Sequence, residues 1–351
     1  MSSNSFCKHL SNGYRIFIRN GKITWLPCCY WQGDEIPFEN LQNRRDQLNV
    51  STPWAHNECS KCRTEESYKP TGYRQAGHAI IPVIESTKTG WIDIQADETC
   101  NGGCLICGPW SSSYWQGQLI KYNEHPIVQV EKNLKQLVDQ VFSSLDVSEL
   151  GLLQFLGGEP FLSDVDQYAL KYITNPSICQ LKYTTNGSIY PKPDRIEQWS
   201  KFKKILINFS IDGVGKRFEY LRYPLKWSKV EDNVKRLIDE PLDNLYFHIN
   251  HTITPLNIYY YDEFQEWVDR IFPKDRLTGI HTHTAYGTMN VSATSDAVRA
   301  KVIAKYGQGH MLCNMLASNT NQDSANMFWE YINKWDQRRA TDWSNTFPDI
   351  L

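Results

Sequence analysis

The chain has 351 residues, of which 41% are hydrophobic and 22% charged, with a net charge of −2 and an isoelectric point near 6.5. That is room for one large domain with a small companion and for a real core, and the near-neutral balance gives no overall basic field for nucleic acid. No stretch approaches 18 uninterrupted apolar residues, and Met1-Ser-Ser-Asn-Ser lacks the charged-then-apolar pattern of a secretory leader, so a cytoplasmic protein without a membrane partner is expected. Ten cysteines would allow five disulfides, but their grouping as Cys28-Cys29, Cys59-x2-Cys62 and Cys100/Cys104/Cys107 reads as metal ligation in a reducing compartment. Cys179 and Cys313 stand outside these groups and read as buried or idle thiols. The 12 Trp and 19 Tyr suit an aromatic-lined cavity as well as ordinary packing.

From Met1 to Gly77 the pattern is irregular, with β-like runs at 14–18 and 23–26 joined by the hairpin dipeptide Asn20-Gly21. Such runs bury little surface alone. The same segment carries Cys7, Cys28, Cys59 and Cys62, with Cys29 as the substitute for Cys28, and a hairpin pinned by four thiolates would make up for a small core. A C-x2-C pair serves zinc and iron–sulfur sites alike. After a linker over 78–90, a strand–helix alternation begins at Trp91. Strands are predicted at 91–96, 151–156, 181–185, 205–211, 245–253 and 279–286, with helical periods through Val130, Leu134, Val138 and Val141 and through Val230, Val234 and Leu237. Strands separated by helices pair in parallel with right-handed crossovers, and in such barrels the chemistry gathers at the C-terminal strand ends. Met327/Phe328, Tyr331/Ile332 and Trp335 predict a tail helix closing the open side or the bottom.

The first barrel strand ends in Cys100-Asn-Gly-Gly-Cys104-Leu-Ile-Cys107. Three thiolates in a loop loosened by two glycines can wrap one face of an iron–sulfur cube and leave one iron without a protein ligand. A zinc site with a fourth ligand elsewhere is the plainer alternative. The second strand ends in Gly157-Gly158-Glu159-Pro160, where backbone can approach a ligand and a carboxylate can accept from an ammonium group; an ordinary β-to-α turn reads the same way. The third and fourth end in Thr184-Thr185-Asn186-Gly187 and Ser210-Ile211-Asp212-Gly213, common turn sequences whose short polar side chains also suit a ribose and a carboxylate. The fifth runs into Asn250 and Pro255-Leu256-Asn257, a place for an adenine contact. Arg222, Tyr223, His251, His281 and His283 are expected near the barrel mouth, the last two as a metal pair or as packing and substrate contacts.

The C-x3-C-x2-C spacing followed by Gly157-Gly158-Glu159 resembles the signature of the radical S-adenosylmethionine (radical SAM) enzymes. The resemblance implies an α/β fold with a partial (β/α)6 TIM-type barrel over 91–290. It implies a [4Fe-4S] cluster on Cys100, Cys104 and Cys107, and S-adenosylmethionine held with help from Gly157, Gly158, Glu159, Asn186, Ser210 and Asp212. Reductive cleavage of that cofactor would give a 5′-deoxyadenosyl radical that takes hydrogen from an unactivated C–H bond. Gly21, Pro27-Cys28-Cys29, Cys59-x2-Cys62, Glu65, Glu66 and Gly72-Tyr73-Arg74 resemble the twitch module, a shortened SPASM-like domain, here over 1–77 and ahead of the barrel instead of behind it. That implies a second, auxiliary [4Fe-4S] cluster on Cys7, Cys28, Cys59 and Cys62. A helical extension over 291–351 completes the division. The implied partners are a peptide or small-molecule substrate and an electron donor such as a flavodoxin or ferredoxin. Two rivals stand beside this reading: a non-catalytic iron–sulfur electron carrier, which would not need Gly157-Gly158-Glu159 or Ser210, and a colourless zinc-stapled binding protein with metal held by both cysteine groups.

Overall fold

The computed structural model describes residues 7–50, 57–68, 81, 88–124, 133–316 and 321–350. Val130, Gly72-Tyr73-Arg74 and the 78–90 linker apart from Ile81 and 88–90 lie outside them. Strands β1 (Gly13–Arg19) and β2 (Lys22–Leu26) form an antiparallel hairpin. Its turn residues Asn20 and Gly21 have φ of 50° and 73°, the left-handed backbone that a two-residue hairpin turn with strand-like twist requires. The chain then lays down β3 (Trp91–Gln95), β4 (Leu152–Leu156), β5 (Gln180–Thr185), β6 (Lys204–Ser210), β7 (Leu245–Ile253) and β8 (Leu277–Thr284). All eight join one sheet in the order β2-β1-β3-β4-β5-β6-β7-β8, parallel throughout except for β2. The mixed α/β fold and the six barrel strands are as the sequence predicts. β1 pairs with β3 from Gly13↔Trp91 to Phe17↔Gln95, so the N-terminal hairpin continues the barrel sheet. A two-stranded ribbon is marginal in water, and pairing with the β3 edge gives it a third strand.

Alternation along the strands separates two faces. Ile92, Ile94, Leu153, Phe155, Ile207 and Ile249 are buried on the outer face, each fully buried side chain of this size being worth roughly 1.5–3 kcal/mol. Helices cover that face with apolar residues at three- and four-residue steps: Val138, Val141 and Phe142 in Leu134–Ser143, and Val230, Val234 and Leu237 in Trp227–Ile238. The inner face is polar. In-register rows place Asp93 beside Gln154 and Lys182, Thr184 beside Asn208 and His248, and Ser210 beside Asn250 and His281. Four further helices bear on the site: α1 (Lys8–Asn12), α2 (Phe38–Val50), α3 (Ser60–Tyr68) and α4 (Ser113–Lys121). The tail helix spans Gln322–Arg339; it is capped by the Asn321 side chain accepting from Ser324 N–H and stops at Ala340 in the left-handed region. Among the described residues no helix is long and apolar enough to cross a membrane.

Candidate active site

The cysteine loop leaves the C-terminal end of β3 and is held from three sides. Gly103 N–H donates to Tyr223 O (2.6 Å) and Leu105 N–H to Leu221 O (2.8 Å), which pins the loop to the segment around Arg222. Ser112 Oγ donates to Gly102 O (2.6 Å) and Trp115 Nε1, from α4, to Cys104 O (2.9 Å). From the tail helix, Tyr331 donates to Leu105 O (2.9 Å) and Arg339 Nη2 to Gly103 O (2.8 Å), while Trp335 packs edge-on against Trp115 with centroids 4.4 Å apart. The tail helix, expected at the open side or bottom of the barrel, therefore lies against the cysteine loop, where it finds carbonyls the loop leaves unpaired. The glycines serve close approach: a Cβ on Gly103 would stand 2.8 Å from the Tyr114 ring, and Gly102 N–H points at Cys100 Sγ (3.4 Å).

Burial pushes the thiols up, Cys100 to about 11, Cys104 to about 12 and Cys107 above its ordinary value, with the Arg222 guanidinium opposing this at Cys104 and Cys107. Arg222 is 6% exposed, with Nη1 3.8 Å from Cys104 Sγ and Nη2 2.6 Å from Asp212 Oδ2. Three thiols gathered on one loop, disfavoured as bare thiolates and with one guanidinium near Cys104 and Cys107 alone, fit a cationic iron centre that would compensate their charge.

Gly157-Gly158-Glu159 lies against the residues just before Cys100. Glu159 N–H donates to Thr99 O (2.7 Å), Gly157 has φ of 137°, and a Cβ on Gly158 would come within 2.1 Å of Thr99 O. The Glu159 carboxylate, which the sequence offered to an ammonium group, is 0% exposed and engaged within the chain. Oε1 accepts from Thr185 Oγ1 (2.7 Å) and Phe161 N–H (3.3 Å), and Oε2 from Asn186 N–H (2.7 Å). Burial raises its pKa to about 7, against the pull of those donors. It braces the end of β4 to the end of β5. Asn186 in turn donates from Nδ2 to Asn101 Oδ1 (3.0 Å) inside the cysteine loop. Asp212, 1% exposed, is likewise engaged by Arg222 and by Thr252 N–H (2.8 Å). Ser210 sits half-buried on the inner face in register with Asn250.

Other residues occupy places the sequence did not assign them. Asn257, considered for adenine, is buried and donates to Asp212 O (2.7 Å) and Thr252 O (2.9 Å), so it fixes the loop after β7. His251, expected at the mouth, is in register with Thr282, on the face opposite Ser210. It packs on Phe264 with ring centroids 3.9 Å apart, and burial pushes its pKa down to about 4. His281 and His283 do share the inner face, with rings stacked 5.1 Å apart. Thr252, Tyr331 and Arg339 carry no motif that could have marked them.

One cavity adjoins the loop and a second lies beyond it. One of about 590 Å³ is bounded by Cys107, Trp110, Thr252, His283, Tyr286 and Tyr331. A larger one of about 1300 Å³ is bounded by Tyr30, Lys61, His281, His283, Tyr286 and Met311. His283 and Tyr286 line both. At the N-terminal end, Cys7 and Cys28 are buried with Trp31, Trp91 and Leu152, and Cys59 packs on the same cluster. Burial holds the Cys28 thiol well above the usual range, with Cys7, Cys29 and Cys62 near enough to add to the effect; Cys59 is raised to about 11 by burial and then by Cys7. Cys7, Cys28, Cys59 and Cys62 are thus brought into one neighbourhood. Cys29 instead turns into the barrel, its Sγ donating to Asp93 Oδ2 (2.6 Å). Among the described residues no three Cys, His, Asp or Glu converge on a point suited to one metal ion. A cluster takes one thiolate per iron, so its ligands stand apart around it.

No curated protein matches the chain. Among solved structures it is similar to anSMEcpe with bound AdoMet, at 17% identity over 61% of this chain and 58% of that one, with a TM-score of 0.39. It is also similar to Streptococcus suis SuiB bound to its precursor peptide SuiA, at 14% identity over 81% of this chain and 53% of that one, with a TM-score of 0.41. TYW1 with a lysine-pyruvate adduct bound gives 14% identity over 78% of this chain and 90% of that one, with a TM-score of 0.35. The chain spans little more than half the length of the first two. Residues 97–271, from the cysteine loop to the helix after β7, match the Radical SAM superfamily.

Proposed function

We propose that the chain is a radical SAM enzyme acting on a peptide or a small metabolite. The observation that carries this reading is the Cys100/Cys104/Cys107 loop at the end of β3, backed by Gly157-Gly158 and opening onto a cavity. When bound there, a [4Fe-4S] cluster supplies one-electron cleavage of S-adenosylmethionine and so a 5′-deoxyadenosyl radical for hydrogen abstraction. The chain's own part is positional. Gly157, Gly158, Asn186 and Ser210 orient the cofactor at the strand ends, Glu159 and Asp212 hold those ends from behind, and Arg222 steadies Cys104. Tyr331, Trp335 and Trp115 cover the loop and exclude water, which protects a radical from quenching. The larger cavity, at about 1300 Å³, exceeds the roughly 300–1,000 Å³ of small-molecule clefts and favours a bulky substrate.

The N-terminal cysteines belong to the same reading, as a twitch-like module over 1–77 with an auxiliary [4Fe-4S] cluster on Cys7, Cys28, Cys59 and Cys62. The engagement of Cys29 by Asp93 favours Cys28 as the ligand. A linker over 78–90, the barrel over 91–290 and the extension over 291–351 follow, and a flavodoxin or ferredoxin would deliver the electron. The test is 5′-deoxyadenosine formation from S-adenosylmethionine by anaerobically reconstituted protein with dithionite. Cys104→Ala should abolish it and leave the N-terminal iron in place. A Cys104→Ala protein that still makes 5′-deoxyadenosine would show that the triplet is not the reactive site.

A further inference from the structure

Arg45, on α2, is 1% exposed. Its guanidinium lies over the Tyr14 ring at 4.1 Å, Nε and Nη2 reach no acceptor, and among the described residues no acidic side chain forms an ion pair with it. A guanidinium cannot lose its proton in a protein, and a buried charge without an opposite charge is strongly unfavourable. Something anionic should therefore sit near Arg45 in the working protein. Its surroundings name the candidate. α2 packs against α1, which begins directly after Cys7, and against β2, which ends just before Pro27-Cys28. Burial pulls the Arg45 pKa down, and Tyr14, then Cys28 and Asp46, are near enough to oppose it.

We infer that Arg45 is the counter-charge of an anionic metal centre held by Cys7, Cys28, Cys59 and Cys62. The inference rests on the reading of those cysteines given above. Four thiolates carry four negative charges, and the dipositive core of an oxidised [4Fe-4S] cluster or a zinc ion cancels only two. The remainder sits among cysteines of which Cys7 and Cys28 are buried, and one fixed guanidinium offsets part of it. Its two unengaged N–H groups are of the kind that donate to sulfur. In the metal-free protein the thiols stay neutral and, among the described residues, the guanidinium forms no ion pair, so metal binding and the burial of Arg45 support each other.

The experiment uses the full chain carrying Cys100→Ala, Cys104→Ala and Cys107→Ala, so that all remaining cluster iron reports on the N-terminal site. The parent is reconstituted anaerobically with iron and sulfide and compared with Arg45→Met and Arg45→Lys. Arg45→Met should release its iron to a ferrous chelator at least tenfold faster than the parent, and the midpoint potential of its remaining cluster should fall, because the reduced form carries more negative charge. Arg45→Lys should recover most of both properties, and its folding also controls for a methionine variant that is merely unstable. Equal release and equal potential in the parent and Arg45→Met would overturn the inference, as would a lysine variant as impaired as the methionine one. A parent that takes up no metal would overturn it together with the N-terminal cluster, while 5′-deoxyadenosine formation by the intact triplet would stand apart from that result.

Discussion

Glu159→Gln offers a quantitative test of how the strand ends are held. The carboxyl is fully buried, and burial raises its pKa from 4.5 to about 7 against donors from Thr185, Asn186 and Phe161. At 1.36 kcal/mol for each tenfold step, the displacement corresponds to about 3 kcal/mol. Because the folded value lies above the unfolded one, the group's contribution is fully present below pH 4.5 and is lost as pH rises to about 7, beyond which the penalty is constant. Glutamine does not titrate. The stability of the parent minus that of Glu159→Gln should therefore fall by about 3 kcal/mol between roughly pH 4.5 and 7.5. Urea unfolding of both proteins, in the same metal-loaded state at each pH, measures this, and the subtraction removes every titration the two share. A difference that does not change with pH would refute the reasoning. It would mean that the three donors outweigh burial and keep the carboxylate charged throughout.

Arg222→Met should leave Asp212 buried without its cation and cost about 3–5 kcal/mol in urea unfolding, with part recovered in Arg222→Met/Asp212→Asn. Gly158→Ala places a methyl 2.1 Å from Thr99 O and displaces the backbone ahead of Cys100. It should weaken S-adenosylmethionine binding more than tenfold by calorimetry with the circular dichroism spectrum unchanged. In protein lacking the barrel triplet, Cys28→Ser should lower N-terminal iron and Cys29→Ser should not; the reverse ranking would reassign the ligand.

The barrel strands were legible because their outer positions are apolar at every second residue: the predicted 91–96 and 205–211 correspond to Trp91–Gln95 and Lys204–Ser210. The last strand spans Leu277–Thr284, two residues ahead of the predicted 279–286. Its threonines and histidines are mostly half-buried and leave no apolar rhythm to mark its ends. The cysteine triplet and the glycines of Gly157-Gly158-Glu159 announced themselves by spacing. What local pattern does not encode is the partner that a buried polar group finds. Glu159 meets Asn186 just past the next strand, Asp212 meets Arg222 and Thr252, and Asn257 meets Asp212, all pairings made by the fold. Nor did helical spacing on the tail reveal that Tyr331 and Arg339 would find the loop's carbonyls. Arg45 reads in sequence as one more charge on a polar helix, and only its burial sets it apart.

The polar inner face of the sheet separates two demands that most cores must meet together. Here the outer face carries the apolar packing, and the rows Thr184–Asn208–His248 and Ser210–Asn250–His281 are spared the task of filling a core. Exchanges along those rows should alter what the lumen accepts while leaving the outer packing intact. A scaffold of this kind can change its substrate one lumen residue at a time, with folding and recognition varied on opposite sides of the same strands.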